Sequence, residues 1–222
     1  MNKYAKKLAI IMTLLSTACS SEYGIEPIPD VVEVIDSGSK LDVLFVLDNS
    51  CSMQNDWNFI TFGLTQIPEE LNDHNVDWKL GITTTDDSDN VFEEVPSSSD
   101  PGWGVLTSMG HVRSLGGHAE NGFDGALRVK YDYPDFFRDE TTDLIIFVSD
   151  ENEQSAITAS EFHMEWNSPH MVAAVTGPDM IREGDSFPCM VDEAPKYHAV
   201  SNVVIDICTN QRWSIISQVL RE

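Results

Sequence analysis

The chain has 222 residues, 41% of them hydrophobic, with 37 acidic side chains against 13 basic ones and a formal net charge of −24. About 200 residues beyond the leader suffice for one domain with a real core. The acidic surface repels nucleic acid and anionic lipid and excludes both as partners; it favours cations and basic protein patches, or serves solubility alone.

Met1–Ala18 opens with Lys3, Lys6 and Lys7, continues through an apolar stretch from Leu8 to Leu15 and ends on Ser16, Thr17 and Ala18. A basic start, a short apolar core and small residues predict a secretory signal over 1–18, too short to span a bilayer as a stable helix. Cys19 follows, so the pattern resembles the lipobox of bacterial lipoproteins, departing from it where Ser16 replaces the usual Leu. The resemblance implies cleavage before Cys19 and acyl chains on its thiol as the only membrane attachment. With Ser20 rather than Asp next, it implies the outer membrane of a Gram-negative envelope; ordinary secretion is the reading that the departure leaves open. Residues 19–40 then form a flexible tether holding Pro27, Pro29, Gly24 and Gly38, with room for an edge strand at Val31–Ile35.

Leu41–Leu47 is an apolar run broken only by Asp42, as expected of a buried strand. The polar turn Asp48-Asn49-Ser50-Cys51-Ser52 leads into Trp57, Ile60, Leu64, Ile67 and Leu71, spaced as one face of a helix that Pro68 is expected to kink or restart. Trp78–Thr85 reads as a second strand, ending on Asp86 and Asp87. Residues 88–122, rich in Ser and Gly, predict a long irregular segment with a third strand near Gly104–Thr107. Trp103 and Met109 on it are either partner contacts or core. Phe123, Ala126, Leu127 and Lys130 mark the next helix. Asp143–Ser149 is almost continuously apolar, which predicts a central strand of a parallel sheet, and it ends in Asp150-Glu151-Asn152-Glu153.

Thr158 to Glu161 has the form of a capping box for a helix carrying Phe162 and Trp166. His170–Val175 and Val200–Ile207 read as further strands, and Asn210–Glu222 as a terminal helix with Trp213, Ile216 and Leu220 on one face. This alternation predicts an α/β domain over 41–222 with a doubly wound, mostly parallel sheet flanked by helices. Export permits disulfides; Cys189 and Cys208, both in the C-terminal third, are expected to pair, leaving Cys51 as a free thiol. The six histidines show no metal-binding spacing and read as ordinary.

Two strands therefore end in acids, one at Asp48 and one at Asp150. In open α/β sheets ligands bind at the carboxyl ends of strands. Asp48, Ser50, Ser52 and Asp150 supply only oxygen donors, which suit Mg²⁺, Mn²⁺ or Ca²⁺. A Ser/Asn-rich turn capping a helix uses the same residues. Thr83, Thr84, Thr85, Asp86 and Asp87 close the second strand on the same edge, either as outer groups of that site or as a β-branched strand with an acidic turn.

Asp48-x-Ser50-x-Ser52 after one apolar strand and Val148-Ser149-Asp150-Glu151 after another resemble the von Willebrand factor A domain and its metal-ion-dependent adhesion site. More narrowly, Asp-Asn-Ser-Cys-Ser-Met, Gly-Ile-Thr-Thr-Thr-Asp and Val-Ser-Asp-Glu resemble von Willebrand A-type lipoproteins of Gram-negative bacteria. The resemblance implies a divalent ion, Mg²⁺ first, held directly by Ser50 and Ser52 and directly or through water by Asp48 and Asp150. Family members supply a Thr from a third, Gly-rich loop; here Gly116 to Gly122 has none, and Glu120 is the replacement, with Asn121 in reserve. Glu120 would hold the ion more tightly and leave it less electrophilic. The implied function is cation-dependent binding of an acidic residue on a protein partner. Two alternatives are a structural envelope protein with a non-exchanging ion and a metal-dependent phosphoesterase. The second is disfavoured, since no Gly-x-Ser-x-Gly, P-loop, paired His or separate general base accompanies the acids, so the chain is expected not to be an enzyme.

Overall fold

The computed structural model describes residues 38–55, 57–86, 91–96, 101–112, 120–176 and 194–207. The expected signal over 1–18, Cys19, the tether up to residue 37, the Cys189–Cys208 pair and the terminal helix at 210–222 lie outside these residues.

Six strands form one sheet in the order β3-β2-β1-β4-β5-β6. They are β1 (Lys40–Leu47), β2 (Asp77–Thr84), β3 (Phe92–Glu94), β4 (Thr142–Ser149), β5 (His170–Thr176) and β6 (Val203–Asp206). All pairs are parallel except β2 with β3. The apolar runs of β1 and β4 sit side by side at the centre, and every residue of β1 after Lys40 is buried. Alternating side chains serve the two faces. Leu41, Val43, Phe45 and Leu47 join one cluster with α1 (Trp57–Asp73) and α2 (Pro101–Val112), while Leu44 and Val46 join another with α3 (Gly122–Asp132), α4 (Ala159–Trp166) and α5 (Pro195–Val200). The order reverses direction between β1 and β4, so their carboxyl ends open onto the crevice where such folds bind ligands.

Three expectations are corrected. α1 runs as one helix through Pro68, so of the expected kink or restart the restart does not occur. An interior proline costs about 3 kcal/mol, and burial of Leu64, Ile67 and Leu71, each fully covered, offsets that at roughly 1.5–3 kcal/mol apiece. Gly104–Thr107 is not a strand but lies within α2, which Pro101 starts and whose Val105, Met109 and Val112 bury one face. Gly104 lets that helix approach closely: a Cβ there would stand 3.0 Å from Val95 and 3.4 Å from the Pro96 carbonyl. Among the described residues of this region the strand is β3, antiparallel on the sheet edge. Finally, Val200 ends the short α5, and β6 begins only at Val203.

The capping box stands as expected: the Thr158 hydroxyl accepts from the Glu161 N–H at 3.2 Å, and the Glu161 carboxylate accepts from the Thr158 N–H at 2.7 Å. Met109 is core, whereas Trp103 is 67% exposed. Asp42, the one buried charge in β1, is neutralised at the amino end of the sheet. Its carboxylate accepts from the Arg138 backbone N–H at 2.6 Å, Arg138 Nε at 2.8 Å and Thr141 Oγ1 at 3.1 Å. Arg138 also reaches Asp77 at 2.9 Å.

Candidate metal centre

Parallel pairing of β1 with β4 in the register Leu47 to Val148 places Asp48 beside Ser149 and Asp150. One further ladder bond, Asp48 N–H to the Val148 carbonyl at 2.9 Å, fixes where the turn begins. Asp48 Oδ1 then accepts from the Ser50 N–H at 2.8 Å, a local closure typical of Asp in turns, and its Oδ2 accepts from Ser149 Oγ at 2.7 Å. The Ser50 and Ser52 hydroxyls are hydrogen-bonded at 2.7 Å, and Ser52 Oγ donates to Asp150 Oδ1 at 3.1 Å. Asp48, Ser50 and Ser52 of one turn thus share one hydrogen-bonded string with Asp150, which is distant in the chain. Asp48 and Asp150 are buried, while Ser52 and the free thiol of Cys51 are exposed and form its outer side.

Glu120 joins the string from a third loop. Its Oε2 accepts from Thr85 Oγ1 at 2.8 Å, and its carboxyl also contacts Asp48. The backbone holds it on two sides: the Glu120 carbonyl accepts from the Gln154 N–H at 2.7 Å, and the Asn121 N–H donates to the Thr85 carbonyl at 3.2 Å. Behind it, Gly125 allows α3 to meet the end of β2, where a Cβ would lie 2.5 Å from the Thr84 carbonyl. Glu153 spans the two loops, accepting from the Phe123 N–H at 3.1 Å in the first turn of α3 and from the Ser155 N–H at 2.6 Å.

The electrostatics are strained. Burial, and then the neighbouring Asp48 charge, push Glu120 from 4.5 up to about 8, against the Thr85 hydrogen bond. Burial and Asp48 likewise push Asp150 from 3.8 up to about 7, with Ser52 opposing. Among the described residues no Lys or Arg pairs with Asp48, Glu120 or Asp150. Carboxyl groups crowded without countercharge are costly to ionise together, and a bound cation removes that cost.

The residues present fit a hard divalent ion. Asp48, Glu120 and Asp150 offer carboxylate oxygens and Ser50 and Ser52 hydroxyls, the donor chemistry of Mg²⁺, Mn²⁺ and Ca²⁺. Both side-chain polar atoms of buried Asn49, in the same turn, lack a hydrogen-bond partner, so the turn retains unspent polar capacity. Among the described residues no three His, Cys, Asp or Glu side chains form a cage by themselves; hydroxyls and water have to complete this shell.

All five expected site residues therefore converge. Asn121, the reserve, is engaged through its backbone. Thr85, Ser149 and Glu153 carry more of the site than their sequence patterns suggested. Thr85 carried a signal in its place at the end of β2; Ser149 and Glu153 carried only their nearness to Asp150. Residues 116–119, including His118, lie outside the described residues.

No known protein-family profile matches the chain, and no curated protein sequence matches it. Solved structures do. The mussel byssus proximal thread matrix protein 1 matches with a TM-score of 0.59 at 12% identity over 85% of this chain and 47% of that one. This chain thus spans about half the length of the mussel protein. An aerotolerance-related membrane protein from Bacteroides fragilis matches with a TM-score of 0.55 at 14% identity over 82% of this chain and 98% of that one. A structure of the mussel protein with a zinc-occupied adhesion-site motif matches with a TM-score of 0.54 at 12% identity over 85% and 46%. These likenesses show a von Willebrand factor A-type fold; at such identity they carry the fold alone.

Proposed function

We propose that the chain is a cation-dependent protein-binding module. Asp48, Ser50, Ser52, Glu120 and Asp150 hold one divalent ion, Mg²⁺ in the first place. When bound, the ion supplies a Lewis-acidic point for a carboxylate of a partner protein. The observation that carries this reading is the string from Ser50 through Ser52 to Asp150, backed by Asp48 at two adjacent strand ends with no countercharge among the described residues. The outer side at Ser52 is exposed, which suits a docking function. The fold is one that related structures use around an occupied metal motif.

A second reading has its own support. Glu120 stands where the resemblance expects a Thr, and its buried carboxylate would neutralise the ion from within. The site is then a staple between three loops, with no position for a partner. A metal-dependent phosphoesterase is the third and weakest reading. Burial raises the acids toward neutrality, but Asp48, Glu120 and Asp150 are all committed to one another and to hydroxyls.

The deciding experiment strips the purified chain with chelator and titrates Mg²⁺, Mn²⁺ and Ca²⁺ while following thermal unfolding, in parallel with Asp48→Ala. An ion-dependent rise in Tm that disappears in the variant is expected from mass action; absence of any rise with all three ions sinks the metal reading. Partner capture that persists in excess chelator would leave only the staple. Replacement Glu120→Thr is expected to strengthen cation-dependent capture of an acidic partner if the module reading holds and to leave it absent if the staple reading holds. Hydrolysis of a generic phosphoester with Mn²⁺ would reopen the enzymatic reading.

The same proposal includes export and acylation at Cys19, resting on the lipobox-like start, with the outer membrane as destination. Mass spectrometry of the processed amino terminus, and release of Cys19→Ser into the soluble fraction, test it.

A further inference from the structure

α2 carries two apolar faces. Val105, Met109 and Val112 bury one of them in the core. Trp103, Leu106, Thr107 and Gly110, at helical spacings of three, four and seven, share the opposite face. Trp103 is 67% and Leu106 42% exposed, and Thr107 and Gly110 are exposed beside them. Single exposed apolar residues are ordinary, whereas two within one turn of a helix form a patch.

Charge narrows what can cover this face. Among the described α-helices α2 alone has no Asp, Glu, Lys or Arg, in a chain of net charge −24. A basic partner finds no carboxylate here, and an anionic lipid surface is repelled by the chain as a whole. A second copy is repelled wherever acidic surface meets acidic surface, and α2 is the helix on which two copies can meet without apposed carboxylates. His111, on the flank of the face, is hydrogen-bonded to Glu93 at 3.2 Å.

Shape favours the same occupant. Gly110 stands in ordinary helical backbone, and a Cβ there would meet nothing within 4 Å. The described packing therefore does not call for glycine, which destabilises a helix interior relative to alanine. What glycine supplies is a dent in an exposed face, two turns from Trp103. Two such helices laid antiparallel, with a two-fold axis between Leu106 and Thr107, bring Trp103 of each copy over Gly110 of the other and Leu106 over Thr107. Large meets small at all four positions, which is the self-complementarity that a closed dimer needs, and the small residues let the axes approach for ridge-into-groove packing.

We propose that α2 is a self-association face, through which two copies of the chain pair as antiparallel helices with Trp103 of each seated on Gly110 of the other. The contact is small, below about 1,200 Å² in total, so the dimer is weak and reversible. It does not require a cation at the Asp48 centre.

The test uses the full chain carrying Cys19→Ser and Cys51→Ser, in chelator, so that no lipid, exposed thiol or metal joins two copies. Sedimentation is followed from about 1 μM to about 1 mM. The expected result is a monomer–dimer equilibrium in the micromolar range that tightens as salt screens the net charge. Gly110→Ala is expected to raise Tm, as helix propensity requires, and to weaken the dimer at least tenfold; a purely structural role would not move the two in opposite directions. Trp103→Ser abolishes the dimer. Met164→Ser, which removes a similarly exposed apolar residue from α4 on the other face of the sheet, leaves it unchanged. Thr107→Cys, next to the axis, is expected to give a symmetric disulfide dimer on oxidation. A monomer at every concentration, a dimer that survives Trp103→Ser, or a dimer that loosens as salt rises overturns the proposal. Binding of neutral lipid vesicles through Trp103 by a chain that stays monomeric overturns it as well.

Discussion

The two ends of the sheet treat buried carboxylates in opposite ways. At the amino end Asp42 is fully buried, yet a guanidinium, a backbone amide and a hydroxyl all converge on it. At the carboxyl end Asp48, Glu120 and Asp150 are as deeply buried, and among the described residues no cation pairs with them. The first arrangement satisfies itself, and its function is to join β1, β2 and the segment before β4. The second stays unbalanced among the described residues, which is the arrangement that the proposed cation would complete.

The comparison breaks most forcefully at Arg138. Arg138→Met strands Asp42 without its partner, and losing one member of a buried pair costs about 3–5 kcal/mol. Urea unfolding should show that loss, and Asp42→Asn added to it should recover most of the stability. The equivalent change at the other end has the opposite sign. In chelator, Asp48→Asn is expected to stabilise the chain by on the order of 1 kcal/mol, since it removes the charge that raises both neighbours. The same variant forfeits the stabilisation that added cation gives the parent.

Acid should separate the two ends further. Glu120 and Asp150 are raised above their ordinary values, so the folded state holds their protons more firmly than the unfolded state. In metal-free protein this part of the stability is lost as pH rises through about 4 toward about 7 for Asp150 and about 8 for Glu120. His163 and His170 are lowered from 6.5, chiefly by burial. Their contribution is present above 6.5 and is lost as pH falls below it. Denaturation curves across this range should therefore flatten on the alkaline side in Glu120→Gln and on the acid side in His170→Gln. A single unchanged profile in both variants would erase the distinction. The smallest effect belongs to neither end: Thr158→Ala removes the cap of α4 at about 1 kcal/mol, with cation response untouched.

Legibility in the sequence followed periodicity. β1, β4 and β5 stand where their apolar runs placed them, because strands covered on both faces by helices need apolar residues at nearly every position. α1 was legible from Trp57 to Leu71 for the same reason. α2 was not, since Gly102, Gly104 and Gly110 conceal a face carried only by Val105, Met109 and Val112. β3 is three residues on an edge, too short to leave a pattern.

The site divides similarly. Asp48, Ser50, Ser52 and Asp150 were visible because a loop that carries function interrupts the apolar code abruptly. Thr85 looked equally like the end of a β-branched strand, and nothing in the sequence showed its hydroxyl on Glu120. The hydrogen bond between His163 Nδ1 and His170 Nε2, 2.7 Å apart, was invisible, because only the packing of α4 against the start of β5 closes the gap.

The sequence by itself determined an acidic α/β chain, its central strands and the two turns on which oxygen donors gather, since burial and turn chemistry act residue by residue along the backbone. Which acids share one charge field and which one has its own arginine was decided only by the tertiary structure. So was the meeting of two histidine nitrogens. The physical reason is that electrostatic and coordination energies depend on distance in space, and the parallel register of β1, β4 and β5 sets those distances.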